Sequence, residues 1–332
     1  MYDVVAMGEV LIDFTCKDTD QEGYPTLQAH PGGAPANFLA ALSRYGCRTA
    51  FLGKVGKDAF GKLLIDTLKK EGIDTRGVVE DEELFTTLAF VTLDENGERE
   101  FSFARKPGAD TGLKIEEVDL SLLDKTKIFH FGSLSLTHEP ARETTRALVS
   151  YAREKGIRIS YDPNLRKPLW KDMEEAREQI LWGLKQADVV KISDEEVEFL
   201  FHCDARKGAE IILQEYEVSL VFVTCGSEGC YYSNGKAAGQ IPGLQDISVK
   251  DTTGAGDIFG GSALSRLLQI GKEPKKLTKE ELEELVYFSC VAAGLSTTKS
   301  GGISSIFNKE DVEAYGRYLK EIKEKDKDRY EK

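Results

Sequence analysis

Three small residues run straight into a carboxylate at Gly254-Ala255-Gly256-Asp257, in the stretch DTTGAGDIFGG. Downstream, Phe259, Ala263, Leu264, Leu267 and Leu268 recur at helical spacing, so the glycine-rich segment is expected to open a helix. A helix N-terminus presents unpaired N–H groups and partial positive charge, and glycine lets a ligand approach that backbone closely. The pattern suits an anion cradle with one carboxylate at its mouth. A carboxylate placed there only to bind phosphate would repel it. It suits a base that takes a proton from a hydroxyl attacking phosphorus. Two plainer readings compete. Aspartate is a good N-cap, so Asp257 could simply close the helix. Gly254-x-Gly256-x-x-x-Gly260 is also a spacing variant of the dinucleotide fingerprint. That motif normally follows a first strand near a domain start, whereas this one lies in the last quarter of the chain.

Other polar residues need elements to position them. Val4–Met7 is a short apolar run ending at Gly8, which fits a buried strand. Asp13 follows in GEVLIDF, near the expected carboxyl end of that strand, where ligands collect in open α/β sheets; a turn or cap aspartate is the alternative. After Leu27–His30 comes Pro31-Gly32-Gly33-Ala34-Pro35-Ala36-Asn37, in which Gly-Gly gives a hinge or a close backbone approach. Ala36, Leu39, Ala40, Ala41 and Leu42 then form a small-residue helix face. Asn37 in its first turn could serve a polar ligand or the local backbone equally well. Thr49–Val55 reads as a strand and Asp58–Glu71 as a helix.

Thr86–Leu93 and Glu100–Arg105 flank Asp94-Glu95-Asn96-Gly97, and Asn-Gly between two such runs signals a hairpin. With Phe14–His30 it could build a small sheet standing off the main body. Arg105, at the hairpin's exit in RKPGAD, either reaches into a cleft or lies on the surface. From residue 126 onward strand and helix alternate: Ile128–Phe131, Ile157–Tyr161, Val189–Ile192 and Leu220–Thr224 are strands, and Pro140–Lys155 is a helix. Polar clusters follow the later strands, Asp162–Arg166, Lys191–Glu196 and Thr224–Gly229. A doubly wound sheet would bring those ends to one edge.

The composition agrees with a globular α/β protein. Hydrophobic residues make up 41% and charged residues 30% of 332. A net charge of −13 argues against nucleic-acid partners and against an anionic membrane surface, and requires that a polyanionic substrate be held by local cations, backbone N–H groups or metal. Six cysteines without a C-x-x-C pair suggest free thiols in a reducing cytoplasm. The start MYDVVAMGEV has no signal-peptide pattern, and no stretch has the apolar length to span a bilayer. Lys320–Lys332 is almost all charge and is expected to be a solvated helix end.

Gly32-Gly33-x-x-x-Asn37, Lys54-Val55-Gly56-x-Asp58-x-Phe60-Gly61 and Asp251-Thr252-Thr253-Gly254-Ala255-Gly256-Asp257 together resemble the paired signatures of the ribokinase-type (PfkB) sugar kinases, over nearly the whole chain. Within that family, GGAPAN and Arg105-x-Pro107-Gly108-Ala109-Asp110 look most like bacterial fructokinases. The resemblance implies one Rossmann-like, three-layer α/β/α domain over residues 1–332, with a β-sheet lid from about 14–31 and 84–106 that often builds a homodimer. It implies transfer of the ATP γ-phosphoryl group to a sugar hydroxyl with Mg²⁺. Asp257 matches the catalytic base and Gly254, Ala255 and Gly256 the anion hole. Asp13, Gly32, Gly33 and Asn37 match sugar-binding positions, and Arg105 and Arg166 match arginines on the substrate side. Lys191, Ser193, Glu196, Thr224, Gly226, Gly229 and Ser296 fall at nucleotide positions, with Glu196 reaching magnesium indirectly. Asp251, Thr253 and Ser304 resemble a monovalent-cation site, which would hold K⁺. One departure stands out: the family's Asn-x-x-Glu is here Ser193-Asp194-Glu195-Glu196.

The expected activity is phosphorylation of fructose to fructose 6-phosphate. A 2-keto-3-deoxygluconate kinase is the nearest alternative, and a non-catalytic sugar or nucleotide sensor the alternative from another class. The retained Asp257 behind an intact Gly-Ala-Gly argues against the sensor.

Overall fold

The computed structural model describes residues 1–93 and 99–330. The chain first lays down β1 (Tyr2–Met7), β2 (Leu11–Thr19), β3 (Pro25–Gly32), α1 (Ala34–Arg44), β4 (Thr49–Gly56), α2 (Ala59–Lys70), β5 (Asp74–Asp81), β6 (Leu88–Leu93) and β7 (Arg99–Ala104). Strands and helices then alternate through β8 (Thr126–Gly132), α3 (Ala141–Glu154), β9 (Arg158–Asp162), α4 (Met173–Leu184), β10 (Val189–Ser193), α5 (Asp194–Phe201), α6 (Ala205–Glu215) and β11 (Leu220–Thr224). A hairpin of β12 (Cys230–Ser233) and β13 (Ala238–Ile241) precedes α7 (Ala255–Ile270), α8 (Lys279–Ser296) and α9 (Lys309–Tyr330).

The apolar runs of the βα units become buried strands because each has helices on both sides. In β1, Val4 and Ala6 join one core with Leu39, Phe259 and Val286, while Val5 and Met7 join another with Leu148, Ile180 and Ile212. Successive side chains of a strand face opposite ways, so two cores flank one sheet and the body is a three-layer α/β/α sandwich. The nine strands run in the order β13-β12-β11-β10-β9-β8-β1-β4-β5. The pairs from β11 to β5 are parallel, and β12 and β13 are antiparallel additions at one edge. The carboxyl ends of β9, β10 and β11 therefore emerge side by side.

A second sheet of four strands, in the order β3-β2-β6-β7, stands apart. It contains the expected pieces, with β2 already under way at Leu11. Asp13 differs from expectation here. It does not end β1 but lies inside β2, opposite His30 of β3 and Ala89 of β6. The chain leaves the large sheet at Gly8-Glu9-Val10 and has begun pairing again two residues before Asp13. β6 and β7 pair antiparallel, with Leu93 opposite Arg99, as the hairpin reading requires. The expected turn at Asp94–Gly97 lies outside the described residues. Asp58 caps α2 by accepting from the N–H groups of Phe60 and Gly61, and it also accepts from the N–H of Thr86, tying α2 to the entry of β6.

Candidate active site

α7 opens at Gly254, whose φ of 76° lies in the left-handed region and whose missing side chain caps nothing. A β-carbon there would lie 3.0 Å from the Cα of Gly302 and 3.1 Å from Nδ2 of Asn37, so the turn is tightly enclosed. Asp257 occupies the third position of α7 and is 7% exposed. It is not the helix cap. Nδ2 of Asn37 donates to its Oδ2 at 2.9 Å, and Nδ2 of Asn164 donates to its Oδ1 at 3.0 Å. Burial pushes the Asp257 carboxyl above its ordinary range; Lys191, the Asn37 amide, Arg166 and the Asn164 amide pull it back only in part. The result is a carboxylate fixed in direction by two amides and more basic than a solvated aspartate.

Asn164 is the residue that sequence reasoning missed. It sits in the loop after β9 with a left-handed φ of 47° and is 8% exposed. An asparagine behind a proline reads as a turn former, and only its left-handed φ, invisible in the sequence, turns its amide toward a partner 93 residues away.

The neighbouring strand ends add charge. Lys191 of β10 pairs with Asp162 of β9 at 3.1 Å, both nearly buried. A β-carbon at Gly256 would lie 2.9 Å from Nζ of Lys191, so the ammonium lies alongside the start of α7. Burial opposes its charge, but Asp162, Glu196 and Asp257 outweigh burial and hold its pKa above the usual lysine value. Burial, assisted by Glu196 and Asp257, pushes the Asp162 carboxyl up against the pull of Lys191. Arg166, in the same loop as Asn164, donates to the Leu165 carbonyl and contributes its charge to Asp257.

Ser193 and Glu196 close the N-terminus of α5 reciprocally. The Ser193 hydroxyl accepts from the Glu196 N–H at 3.1 Å, and Glu196 Oε2 accepts from the Ser193 N–H at 2.8 Å. Glu196 Oε1 also accepts from the Leu165 N–H at 2.6 Å. Glu196 thus braces the loop that delivers Asn164 and Arg166. Serine is a strong N-cap, which gives Ser193 a local task whatever else it contacts.

A cleft of about 260 Å³ adjoins the start of α7, lined by Thr224, Gly226, Gly229, Ala255, Gly256 and Phe259, by Ala293 and Gly294 of α8, and by Thr297 just after it. Its walls are mainly apolar, as a flat heterocycle would need. Ser296 does not line it. Its hydroxyl is turned back to the Ala293 carbonyl at 2.7 Å, because its position on α8 faces the core. A larger cavity of about 560 Å³ lies around Arg266 and Phe288 between α7, α8 and α9, and none of the site's polar residues lines it.

Gly32 lies directly against the Asp13 carboxylate, leaving no room for a side chain. Arg105 does not lie on the surface, the plainer of the two sequence readings. It is 3% exposed, ion-paired to Asp110 at 2.7 Å, and donates to the Thr137 hydroxyl and the Leu134 carbonyl. A buried guanidinium is tolerated only with its donors matched, and the loops after β7 and β8 supply the match. Asp251 bridges two loops, Oδ1 accepting from the Thr253 N–H and Oδ2 from the Gly301 N–H, both at 2.8 Å. Ser304 donates to the Ser300 carbonyl in the same region. Among the described residues, no group of three His, Cys, Asp or Glu side chains is arranged to hold a metal.

The chain is similar to known proteins over most of its length. Over 316 residues the chain is 42% identical to probable fructokinase-5 of Arabidopsis thaliana, covering 93% of this chain and 96% of that protein. The crystal structure of a Xylella fastidiosa fructokinase with bound ATP superposes with a TM-score of 0.87 at 29% identity, covering 96% of this chain and all of that one. A fructokinase double mutant from Vibrio cholerae O395, in a form bound to fructose, ADP and potassium ion, superposes with a TM-score of 0.83 at 31% identity over 94% of this chain and 98% of that one. The family model described as pfkB family carbohydrate kinase matches residues 1–309, and the chain belongs to that family.

Proposed function

We propose that this chain is an ATP-dependent fructokinase that forms fructose 6-phosphate, with Asp257 as the general base. The observation that carries the assignment is the Asp257 carboxylate, held between the Asn37 and Asn164 amides at an uncapped helix start. Phosphoryl transfer requires in-line placement, neutralisation of charge and a base for the attacking hydroxyl. The N–H groups at Gly254–Gly256 face the transferring phosphoryl, and Lys191 and Arg166 supply positive charge beside it. The adenine side of ATP occupies the apolar cleft between the Thr224–Gly229 loop and α8. Mg²⁺ would supply charge neutralisation on the phosphates, with Asp162 as the carboxylate that would face it and Glu196, turned onto the Ser193 and Leu165 N–H groups, acting only indirectly.

Asp13, Gly32, Gly33 and Asn37 form the sugar side. A ketohexose offers neutral hydroxyls, which suit Asp and Asn, whereas a keto-acid needs a free cation fork. The commitment of Arg105 to Asp110, Thr137 and Leu134 removes one candidate fork and supports the neutral sugar. A coupled kinase assay over fructose, ribose, 2-keto-3-deoxygluconate and nucleosides tests this. Fructose is expected to show the highest kcat/KM. A higher value for the keto-acid would reassign the substrate, and absence of turnover with every acceptor would leave only a sensor.

The four-stranded sheet serves as a lid that excludes water during transfer. Tyr24 and Leu27 on its β2–β3 arm are exposed, and we assign this sheet as a homodimer surface, which light scattering reads directly; monomer mass at micromolar concentration counts against it. The loops tied by Asp251 are suited to a potassium ion that braces the anion hole. Equal rates in potassium and a large organic cation at matched ionic strength would remove that role. All six cysteines are free and no described helix is long and apolar enough to cross a membrane, in keeping with a cytoplasmic enzyme.

A further inference from the structure

Glu9 lies at the corner where the chain passes from β1 into β2, and it is 3% exposed. A buried carboxylate needs a reason. Its Oε1 accepts from the N–H of Ala34, the first residue of α1, at 3.0 Å. The cap position of that helix is Gly33, which has a φ of 107° and no side chain to offer. Gly33 is also pressed onto Glu9: a β-carbon on it would lie 2.6 Å from the Glu9 carbonyl oxygen. Glu9 thus closes a helix that begins 25 residues later. In the first turn of that helix, Asn37 donates from its backbone to Gly33 and from its side chain to Asp257.

Three passages between the two sheets meet at this point: residues 8–10, residues 32–34, and the loop after β7 with its Arg105–Asp110 pair. Asp110 and Arg105 are the charged groups that act on Glu9. Neither the base assignment nor the sugar-side assignment uses Glu9.

We propose that Glu9 is a positioning residue whose carboxylate sets the first turn of α1, and through it the Gly32–Gly33 turn and the Asn37 amide, for fructose and Asp257. Burial, with Asp110 adding to it, raises the Glu9 carboxyl to about 7 against the pull of its own backbone N–H, Arg105 and the Ala34 N–H. The charged acceptor is therefore present above neutrality and neutralised below it. A charged cap holds a helix N–H more firmly than a neutral one, so the sugar side is set more tightly at high pH.

The inference rests on the sugar-side and Asp257 assignments, and its test separates from theirs. Glu9→Gln reproduces the neutral form at every pH. The quantity to measure is the ratio of fructose KM in the Glu9→Gln variant to that in the unaltered enzyme, from pH 6 to pH 8.5. Titrations common to both proteins, those of Asp257 and Asp162 included, cancel in the ratio. It is expected to be near one at the acid end and to rise roughly three- to tenfold at the alkaline end, with KM for ATP unchanged, in line with the value of a cap. A ratio that is flat with pH, at any level, overturns the proposal. If the glutamine variant does not fold, Glu9→Asp gives the same decision, because its shorter carboxylate falls short of Ala34. A raised fructose KM at alkaline pH is then expected, and an unaltered one overturns the idea. Failure of the base assignment would instead show as undiminished turnover in Asp257→Asn.

Discussion

The starts of α5 and α7 lie beside the same acidic strand ends, and they are built in opposite ways. At α5 the backbone donors are consumed locally: Ser193 and Glu196 satisfy each other's N–H groups, and the spare carboxylate oxygen of Glu196 takes the Leu165 N–H. At α7 no side chain closes the helix, Gly254 takes the left-handed turn, and Ala255 and Gly256 line the cleft. Both helices carry acids in their first turn. In α5 the acid is turned onto the backbone, whereas in α7 it is turned away and held by amides from α1 and from the loop after β9. A self-capped start has spent its donors on the scaffold, whereas an uncapped start leaves N–H groups open to a ligand that brings its own acceptors.

This contrast breaks most sharply at Asp257. Asp257→Asn keeps the shape and removes the proposed base, so kcat is expected to fall on the order of 10²–10⁴-fold while calorimetry still detects fructose and ATP. Near-normal turnover would make the two helix starts equivalent after all.

Gly254→Ala tests the uncapped turn itself. The substitution forces an alanine to the left-handed φ of 76° and presses its β-carbon toward Asn37 and Gly302. Stability is expected to drop by roughly 1–2 kcal/mol, read as a lower denaturation midpoint, and kcat to fall with it. An unshifted midpoint would mean that the turn relaxes freely.

Asn164→Ala sharpens the contrast through pH. The Asn164 amide favours the charged form of Asp257, whose carboxyl burial already raises. Removing the amide raises it further, so protonation begins at higher pH. The acid limb of the kcat/KM profile is expected to move toward neutrality, with activity at pH 7 down roughly tenfold. An acid limb that stays in place would show that Asn37 alone fixes the base.

The smallest effect is expected at α5. Ser193→Ala removes one half of the reciprocal cap and should cost about 1 kcal/mol of stability, with turnover falling far less than in Asp257→Asn. A loss of turnover as large as that of the base variant would place Ser193 among the nucleotide contacts rather than in the scaffold.

What could be read from the chain alone follows the same division. The βα alternation, the small second sheet and the helix behind Gly254 were legible because each rests on local periodicity or turn chemistry. That Asp257 and Asn37 would come together was suggested by the glycines beside each, which mark where the backbone can be approached closely. Asn164 was not, since its role depends on a left-handed backbone and on a partner distant in sequence. The burial of Arg105 was not legible, because its partners Thr137 and Leu134 lie about thirty residues away in sequence. The segment around Ser296 does border the cleft, but the helical phase of α8 turns Ala293 and Gly294 to it and the Ser296 hydroxyl back to the Ala293 carbonyl. Asp13 was displaced because a strand was assumed to run on where Gly8-Glu9-Val10 turns the chain into another sheet.

Asp257 also joins regions made at different times. Its amide partners lie 93 and 220 residues earlier in the chain. The core that covers one face of the large sheet joins Val4 and Leu39 to Phe259, Val286 and Val312. At a synthesis rate of about 5–20 residues per second, that apolar face waits tens of seconds on the ribosome before α7, α8 and α9 emerge to cover it. The nascent chain therefore carries a finished half of the site and an unfinished, adhesive surface, so its yield in a cell should depend on chaperones that shield the early strands until the last helices arrive.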